Sequence, residues 1–129
     1  MVVNLGTNDE NYLSSLAGEA QKRAKADYLS AYADFVRRID NAYVGVKIVA
    51  VWGMMCGENA QANDGEWLEM LARLRAEGIR ITPLRLSGTE QNPEDIRLGH
   101  PGPLTHRKAA RQLAEYVSAL TGWEIERRV

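Results

Sequence analysis

Cysteine is nearly absent from this sequence of 129 residues, which contains only Cys56. A single cysteine excludes an internal disulfide and any zinc site built from several cysteines. No apolar run is long enough to cross a membrane, and no basic segment followed by an apolar one forms a leader peptide. The sequence leaves the compartment open: we expect a cytoplasmic protein if Met1 is the true start, and secretion is an alternative if an N-terminal segment precedes it.

An excess of either charge is also absent. The sequence has 16 Lys and Arg against 17 Asp and Glu, which gives a net charge of −1. Proteins that bind nucleic acid or anionic membranes usually carry a basic surface that shows in the net charge. The composition thus predicts neither nucleic acid nor a membrane as the partner.

What the sequence does contain is an alternation of strand-like and helix-like segments. Apolar, β-prone runs predict strands near residues 2–5, 46–52 and 79–85. Helices are predicted near residues 19–40, from an N-cap at Asn63 or Asp64 to residue 77, and from an N-cap at Thr105 to Gly122. Residues 6–18 are predicted to be a polar loop. Strands that alternate with helices are typical of βαβ units, so we predict an α/β fold with a parallel sheet.

Each predicted helix has apolar residues at helical spacing, which we expect to face the core. They are Tyr28, Tyr32, Phe35, Val36 and Ile39 in the first helix, Trp67, Met70, Leu71 and Leu74 in the second, and Ala109, Ala110, Leu113, Val117 and Leu120 in the third. Gly78 and Gly122 are predicted to end the last two helices in left-handed conformation.

Three strands make a narrow sheet for this class of fold. Residues 2–5 form a continuous apolar run of the kind that lies in the middle of a parallel sheet, covered on both faces. We therefore interpret residues 1–129 as the C-terminal portion of one larger domain, in which Val2, Val3 and Leu5 lose a neighbouring strand.

Two polar loops follow predicted strands and carry residues suited to acyl transfer. The first is GTND (residues 6–9), and the second is GHPGPLTH (residues 99–106). The amide of Asn8 can donate to a developing oxyanion, and the imidazole of His100 can act as general base and then general acid. Both loops follow strands of one parallel sheet, so we expect the two side chains to converge at one edge across an open gap.

These motifs resemble those of the SGNH (GDSL-type) hydrolases. VVNLGTND is similar to the third sequence block of that family, and GHPGPLTH is similar to its last block. IVAVWGMMCGEN looks like the intervening strand and loop of carbohydrate esterase family 2, which deacetylates plant polysaccharides. The resemblance implies a three-layer flavodoxin-like fold with only its last three βα units present. It also implies that Gly6 makes the tight turn, Asn8 lines the oxyanion hole, His100 is the catalytic base, and no metal or organic cofactor is used.

The sequence departs from this family in three places. The Gly-Asp-Ser block that carries the nucleophile is absent, and so is the second block, whose glycine is another oxyanion donor. Arg97 stands where many members have an aspartate three residues before the histidine. Asp95 is a candidate to orient His100 instead, although its spacing differs. Carbohydrate esterase family 2 can also use a backbone carbonyl for that task.

Other residues near the two loops have plainer interpretations. Trp52, Met54 and Met55 are candidates to line an acyl or sugar pocket, or they belong to the core. Cys56 is interpreted as a small apolar filler, and His106 as a structural residue in the first helical turn. His100 and His106 do not have the spacing of metal ligands, so no metal site is predicted.

Two functions of different classes follow from this sequence. The first is a serine esterase acting on an acylated small molecule or polysaccharide, with its nucleophile supplied by a missing N-terminal fragment. The second is a non-catalytic half-domain that forms a homo-oligomer or binds a partner through the open edge of its first strand. A small flavodoxin-like binding domain is disfavoured because the first strand is not followed by a glycine-rich phosphate loop.

Overall fold

The computed structural model describes residues 1–55 and 61–126, with the side chains of residues 61–64 and 90 excepted. Cys56 lies outside the described residues. The strands and helices are β1 (Val2–Asn4), α1 (Thr7–Ser14), α2 (Gly18–Ala42), β2 (Ile48–Trp52), α3 (Gln61–Ala76), β3 (Ile81–Arg85), β4 (Ile96–Arg97), β5 (His100–Pro101) and α4 (Pro103–Thr121). Two short 3-10 turns, Thr89–Gln91 and Pro93–Asp95, precede β4.

The main sheet has three parallel strands, as the sequence predicted, and their order is β1-β2-β3. Val3 is opposite Ala50 of β2, and Ala50 is opposite Pro83 of β3. Every residue of β2 is buried, because this strand has neighbours on both sides and helices on both faces. The fold is therefore α/β and corresponds to part of a flavodoxin-like domain.

Two cores lie on opposite faces of this sheet. Side chains alternate along a strand, so Ile48, Ala50 and Trp52 face one side while Val49 and Val51 face the other. The first core packs the former against α2 and α3, and the second core packs the latter against α4. Helices therefore flank both faces, which completes the three layers.

The first strand lies at an edge of this sheet, as it would if its other neighbour belonged to the larger domain that the sequence predicts. Val3 is only 5% exposed, but Val2 and Leu5 are 43% and 51% exposed. The expected loss of burial is therefore seen at Val2 and Leu5 but not at Val3, because Val3 points into the first core. The open side of β1 lacks a partner strand among the described residues.

Residues 7–14 form helix α1, whereas the sequence predicted a polar loop. The helix begins after Gly6, whose carbonyl accepts a hydrogen bond from the N–H of Glu10 at 2.8 Å. The segment showed no clear helical periodicity, because it is rich in turn-forming residues and Leu13 is its only buried apolar residue. The error matters for function because Asn8 now lies on a helix.

The predicted helical faces are largely confirmed. All four apolar residues predicted for α3 are buried, and Gly78 and Gly122 adopt positive φ angles of 95° and 76° at helix ends. Phe35, by contrast, is 44% exposed, because it flanks the stripe that Val36 occupies. Ala110 is also exposed, because it lies beside Ala109, which takes the buried position on α4.

Two predicted helix starts were displaced. Helix α3 already includes Gln61, so Asn63 and Asp64 lie inside it, and α4 starts at Pro103 rather than after Thr105. Proline is favoured in the first turn of a helix because the missing N–H would have no helical partner there. Within the described ranges, every helix is too short or too polar to span a lipid bilayer.

Candidate functional site

Both candidate loops leave the carboxyl edge of the parallel sheet. Asn8 lies in the first turn of α1, which follows β1 after a link of two residues. Helix α4 runs antiparallel to the strands. Gln112 near its middle donates to the carbonyl of Arg85 at the end of β3 (2.7 Å), and Leu120 near its end accepts from Lys47 just before β2 (2.7 Å). The beginning of α4, and His100 before it, therefore extend past the same edge from which α1 starts.

Gly6 makes the turn between β1 and α1. Its φ of 110° lies in a region that side chains rarely adopt. A Cβ at this position would also collide with the hydroxyl of Tyr28 on α2. The backbone angle and the nearby hydroxyl of Tyr28 thus both favour glycine at the turn from which the helix carrying Asn8 begins.

His100 lies on a small antiparallel hairpin, in a segment that was predicted to be a loop. Arg97 in β4 is directly opposite His100 in β5, and Leu98 and Gly99 form the two-residue connection. Both connecting residues have positive φ, 51° and 80°, which is the pattern of a type I′ turn. The imidazole of His100 is exposed and makes no hydrogen bond with any described residue.

Asp95 anchors the segment in front of this hairpin to α4. Its Oδ2 accepts a hydrogen bond from the backbone N–H of Thr105 at 2.7 Å. This bond, followed by a second one from the N–H of Leu104 and the charge of Arg97, lowers the pKa of the Asp95 carboxyl below its ordinary value. The carboxylate therefore caps the helix from outside, which is the task that the sequence assigned to Thr105.

The role of Asp95 toward His100 stays a prediction. The described hydrogen bonds of its carboxylate go to α4, and Gly102 lies so close that a Cβ there would collide with Asp95. Asp95 therefore holds in place the chain on both sides of His100. The convergence of Asn8 and His100 across a gap likewise stays a prediction.

The three candidate pocket residues lie in different surroundings. Trp52 is buried in the first core, where its ring packs edge-on against Trp67 with centroids 5.2 Å apart. Met54 is partly buried and packs against the second core, and Met55 is 37% exposed. Only the two methionines are therefore accessible enough to contact a ligand at this edge, and that contact stays a prediction.

Sequence reasoning missed two residues that shape the site. Tyr28 was assigned only to the core, and nothing in the sequence shows that its hydroxyl reaches Gly6 on a separate element. Gln112 was not singled out, yet its Oε1 accepts from the N–H of Ser87 at 2.8 Å and thus ties α4 to the loop after β3. Both contacts join residues more than 20 positions apart, for which a local pattern carries no signal.

A groove of about 710 Å³ lies elsewhere, between α2 and α3. Ion pairs cross it from Lys25 to Glu66 at 2.6 Å and from Arg37 to Glu77 at 2.7 Å. None of the candidate site residues lines it. Across the described part of the chain, no group of three or more His, Cys, Asp or Glu side chains could hold a metal ion.

The structure is similar to that of an acetyl xylan esterase, Est2A, from the rumen bacterium Butyrivibrio proteoclasticus. The two align with a TM-score of 0.80 at 22% sequence identity, over 96% of this chain and 37% of that chain. The chain thus spans little more than a third of the length of that esterase. No family model and no curated protein matches the sequence. The likeness shows that this chain has the fold of part of an esterase.

Proposed function

We propose that this chain is the histidine-bearing part of an SGNH-type serine esterase that removes acetyl groups from carbohydrate. The likeness to the acetyl xylan esterase over 96% of the chain carries this proposal. It is supported by His100 and Asn8, which stand on elements that leave the carboxyl edge of the sheet. In open parallel sheets, ligands bind at that edge.

In the proposed reaction, a serine hydroxyl attacks the acetyl carbonyl while the imidazole of His100 takes its proton. The side-chain amide of Asn8 donates to the oxyanion of the tetrahedral intermediate. His100 then gives the proton to the sugar oxygen, the bond from carbon to that oxygen breaks, and the acetyl group stays on the serine. Water, activated by His100, releases acetate and restores the serine. The chemistry requires no metal or organic cofactor.

The nucleophile of this reaction would come from a segment that is not among the 129 residues. The side chains of Ser15 and Ser118 donate to the nearby carbonyls of Tyr12 and Trp123, both at 2.6 Å. Ser87 lies 3.2 Å from the Gln112 side chain. None of these hydrogen bonds joins a serine to His100. We therefore propose that an N-terminal segment of the same polypeptide, or a second chain, supplies the serine.

The alternative function is a non-catalytic half-domain that associates through β1. The observation in its favour is the exposure of Val2 and Leu5 beside a strand edge that has no partner among the described residues. Such an edge presents unpaired backbone groups to another strand. The two proposals differ in whether a serine-bearing segment completes the site.

The test is the longest open reading frame that contains this chain, expressed whole and assayed with an acetyl ester and with acetylated xylan. We expect a Gly-Asp-Ser segment before Met1 and turnover that His100→Ala reduces at least about 10²-fold. Asn8→Ala should cost on the order of 10²–10³ in rate, which is typical for one oxyanion donor.

The chain offers matched controls for both substitutions. His106→Ala alters the other histidine, and Asn11→Ala alters an exposed asparagine on the same helix as Asn8. Both control variants should keep the parent rate. Turnover that survives His100→Ala would refute the proposed base. A reading frame that starts at Met1, with no turnover, would favour the half-domain.

A further inference from the structure

Positive charge is concentrated around His100. Residues 97–114 contain four Lys and Arg, two His and no Asp or Glu, although acids slightly outnumber bases in the whole chain. The four cationic residues are all exposed: Arg97, Arg107, Lys108 and Arg111. Arg111 approaches Glu115 on the same helix to 3.5 Å, much as Arg73 approaches Glu69 to 3.6 Å on α3. The positive surface near His100 is therefore formed mainly by Arg97, Arg107 and Lys108.

This concentration is unfavourable for α4 itself. Cations near the start of a helix oppose the helix dipole, and since the first turn of α4 itself contains no acid, the carboxylate of Asp95 is the acid that offsets them. The amides of that turn are already taken, because Asp95 accepts from Thr105. An anion at this surface would therefore meet the cationic side chains and not the helix terminus.

Arg97 is the cation nearest to the candidate base along the hairpin. It is directly opposite His100, and side chains directly opposite each other in an antiparallel pair lie on one face with Cβ atoms about 4.5–5.5 Å apart. Its Nη1 donates to the carbonyls of Glu94 and Ile96, both at 3.3 Å. Among the described residues no acid lies within ion-pair distance of this guanidinium, although its charge acts on the carboxylate of Asp95 and lowers the pKa of that group. Arg97 is exposed, so its guanidinium is accessible to a ligand.

We propose that Arg97 is a specificity-determining residue that binds a carboxylate of the substrate, so that the site takes an acetylated polysaccharide carrying uronic acids. A guanidinium matches a carboxylate through two parallel hydrogen bonds. Arg107 and Lys108 add a positive field that attracts a polyanionic chain. This inference rests on the proposed function, since that function makes the ligand an acetylated carbohydrate.

The first test measures binding and needs no nucleophile. The purified chain is titrated with polygalacturonate and with neutral xylan at low and at high salt. We expect the uronic-acid polymer to bind more tightly, and Arg97→Gln to weaken that binding about tenfold. Arg97→Lys should restore only part of the affinity, because an ammonium lacks the planar fork. Arg73→Gln, an exposed arginine on α3, is the matched control and should change nothing.

Two binding results would overturn the inference. One is equal affinity for the charged and the neutral polymer. The other is equally tight binding of single-stranded DNA with full rescue by Arg97→Lys, which would indicate a general polyanion surface instead of a carboxylate site.

The second test uses the complete esterase on acetylated polymers with and without uronic acids. We expect Arg97→Gln to raise KM for the charged polymer about tenfold and to change KM for the neutral polymer much less. Equal effects on both polymers would refute the role of Arg97 while leaving the esterase standing. Selective binding without any hydrolysis would instead refute the proposed function and leave the carboxylate site in place.

Discussion

The carboxylate of Asp95 and the backbone N–H of Thr105 are joined by a hydrogen bond of 2.7 Å that spans ten residues. His100 lies midway between them, at the start of β5. The bond therefore closes a loop around the candidate base and joins it to the first turn of α4. Asp95 thus positions the segment that carries His100, whether or not it also contacts the imidazole.

We predict that Asp95→Asn destabilises the fold and that this effect depends on pH. The hydrogen bonds lower the pKa of Asp95 in the folded state, so the carboxylate stabilises the fold above its ordinary pKa of 3.8. This stabilisation is lost as the pH falls through the lower, folded-state pKa. Urea unfolding of the parent and the variant should differ by a constant amount from about pH 5 to pH 7 and converge in more acid solution.

Asp27→Asn is the control for this measurement, because Asp27 is an exposed aspartate on α2. It should leave the unfolding free energy near that of the parent at every pH. If the gap between the parent and Asp95→Asn did not narrow in acid, the ionised carboxylate would not be the group that stabilises α4.

Gly6→Ala should destabilise the protein more than Gly18→Ala does. Both glycines have positive φ, at 110° and 59°, and an alanine in left-handed conformation costs about 1–2 kcal/mol. Only at Gly6 would the added Cβ also meet the hydroxyl of Tyr28, since the space around Gly18 is open. Unfolding in urea gives both free energies.

A Tyr28→Phe background separates strain from collision in this comparison. Removing the hydroxyl should recover part of the loss caused by Gly6→Ala and none of the loss caused by Gly18→Ala. Equal losses in both backgrounds would mean that the backbone angle alone sets the requirement for glycine.

Truncating a buried residue of α3 should lower the unfolding free energy more than truncating a half-exposed residue of α2. Leu74 is fully buried, so Leu74→Ala should cost about 2–5 kcal/mol of unfolding free energy. Phe35→Ala removes a larger side chain that is 44% exposed, and it should cost less. A greater loss from Phe35→Ala, measured by urea unfolding, would show that the face of α2 is misassigned.

The strands were predictable from sequence because each is an apolar run bounded by turn residues. Helix α3 was predictable because a complete apolar stripe repeats at helical spacing. Helix α1 was not, because Gly6, Asn8 and Asp9 have turn chemistry and the segment buries little apolar surface. The close approach of Tyr28 to Gly6 is a tertiary feature and is invisible to a local pattern.

The candidate site was predictable to the extent that motif residues follow strands. The sequence located Asn8 and His100 after β1 and before α4, and the resemblance suggested their roles. It did not reveal the hairpin that pairs Arg97 with His100, because Leu98 is an unusual residue for a turn with positive φ. It also assigned the cap of α4 to Thr105, since a bond from Asp95 across ten residues has no local signature.

The last prediction concerns the open edge of β1. Fully burying a Val or Leu side chain contributes roughly 1.5–3 kcal/mol, and Val2 and Leu5 lose much of that contribution while they are 43% and 51% exposed. We therefore expect the isolated chain of 129 residues to dimerise or aggregate through β1 and to show no turnover of an acetyl ester. A lysine in an edge strand opposes pairing, so Val2→Lys should shift sedimentation velocity toward the monomer. Val44→Lys is the matched control, because Val44 is fully exposed outside the sheet, and it should sediment like the parent. A parent chain that sediments as a compact monomer would show that β1 tolerates its open edge. If that monomer also hydrolysed an acetyl ester and His100→Ala abolished the turnover, the nucleophile would be one of the serines of this chain.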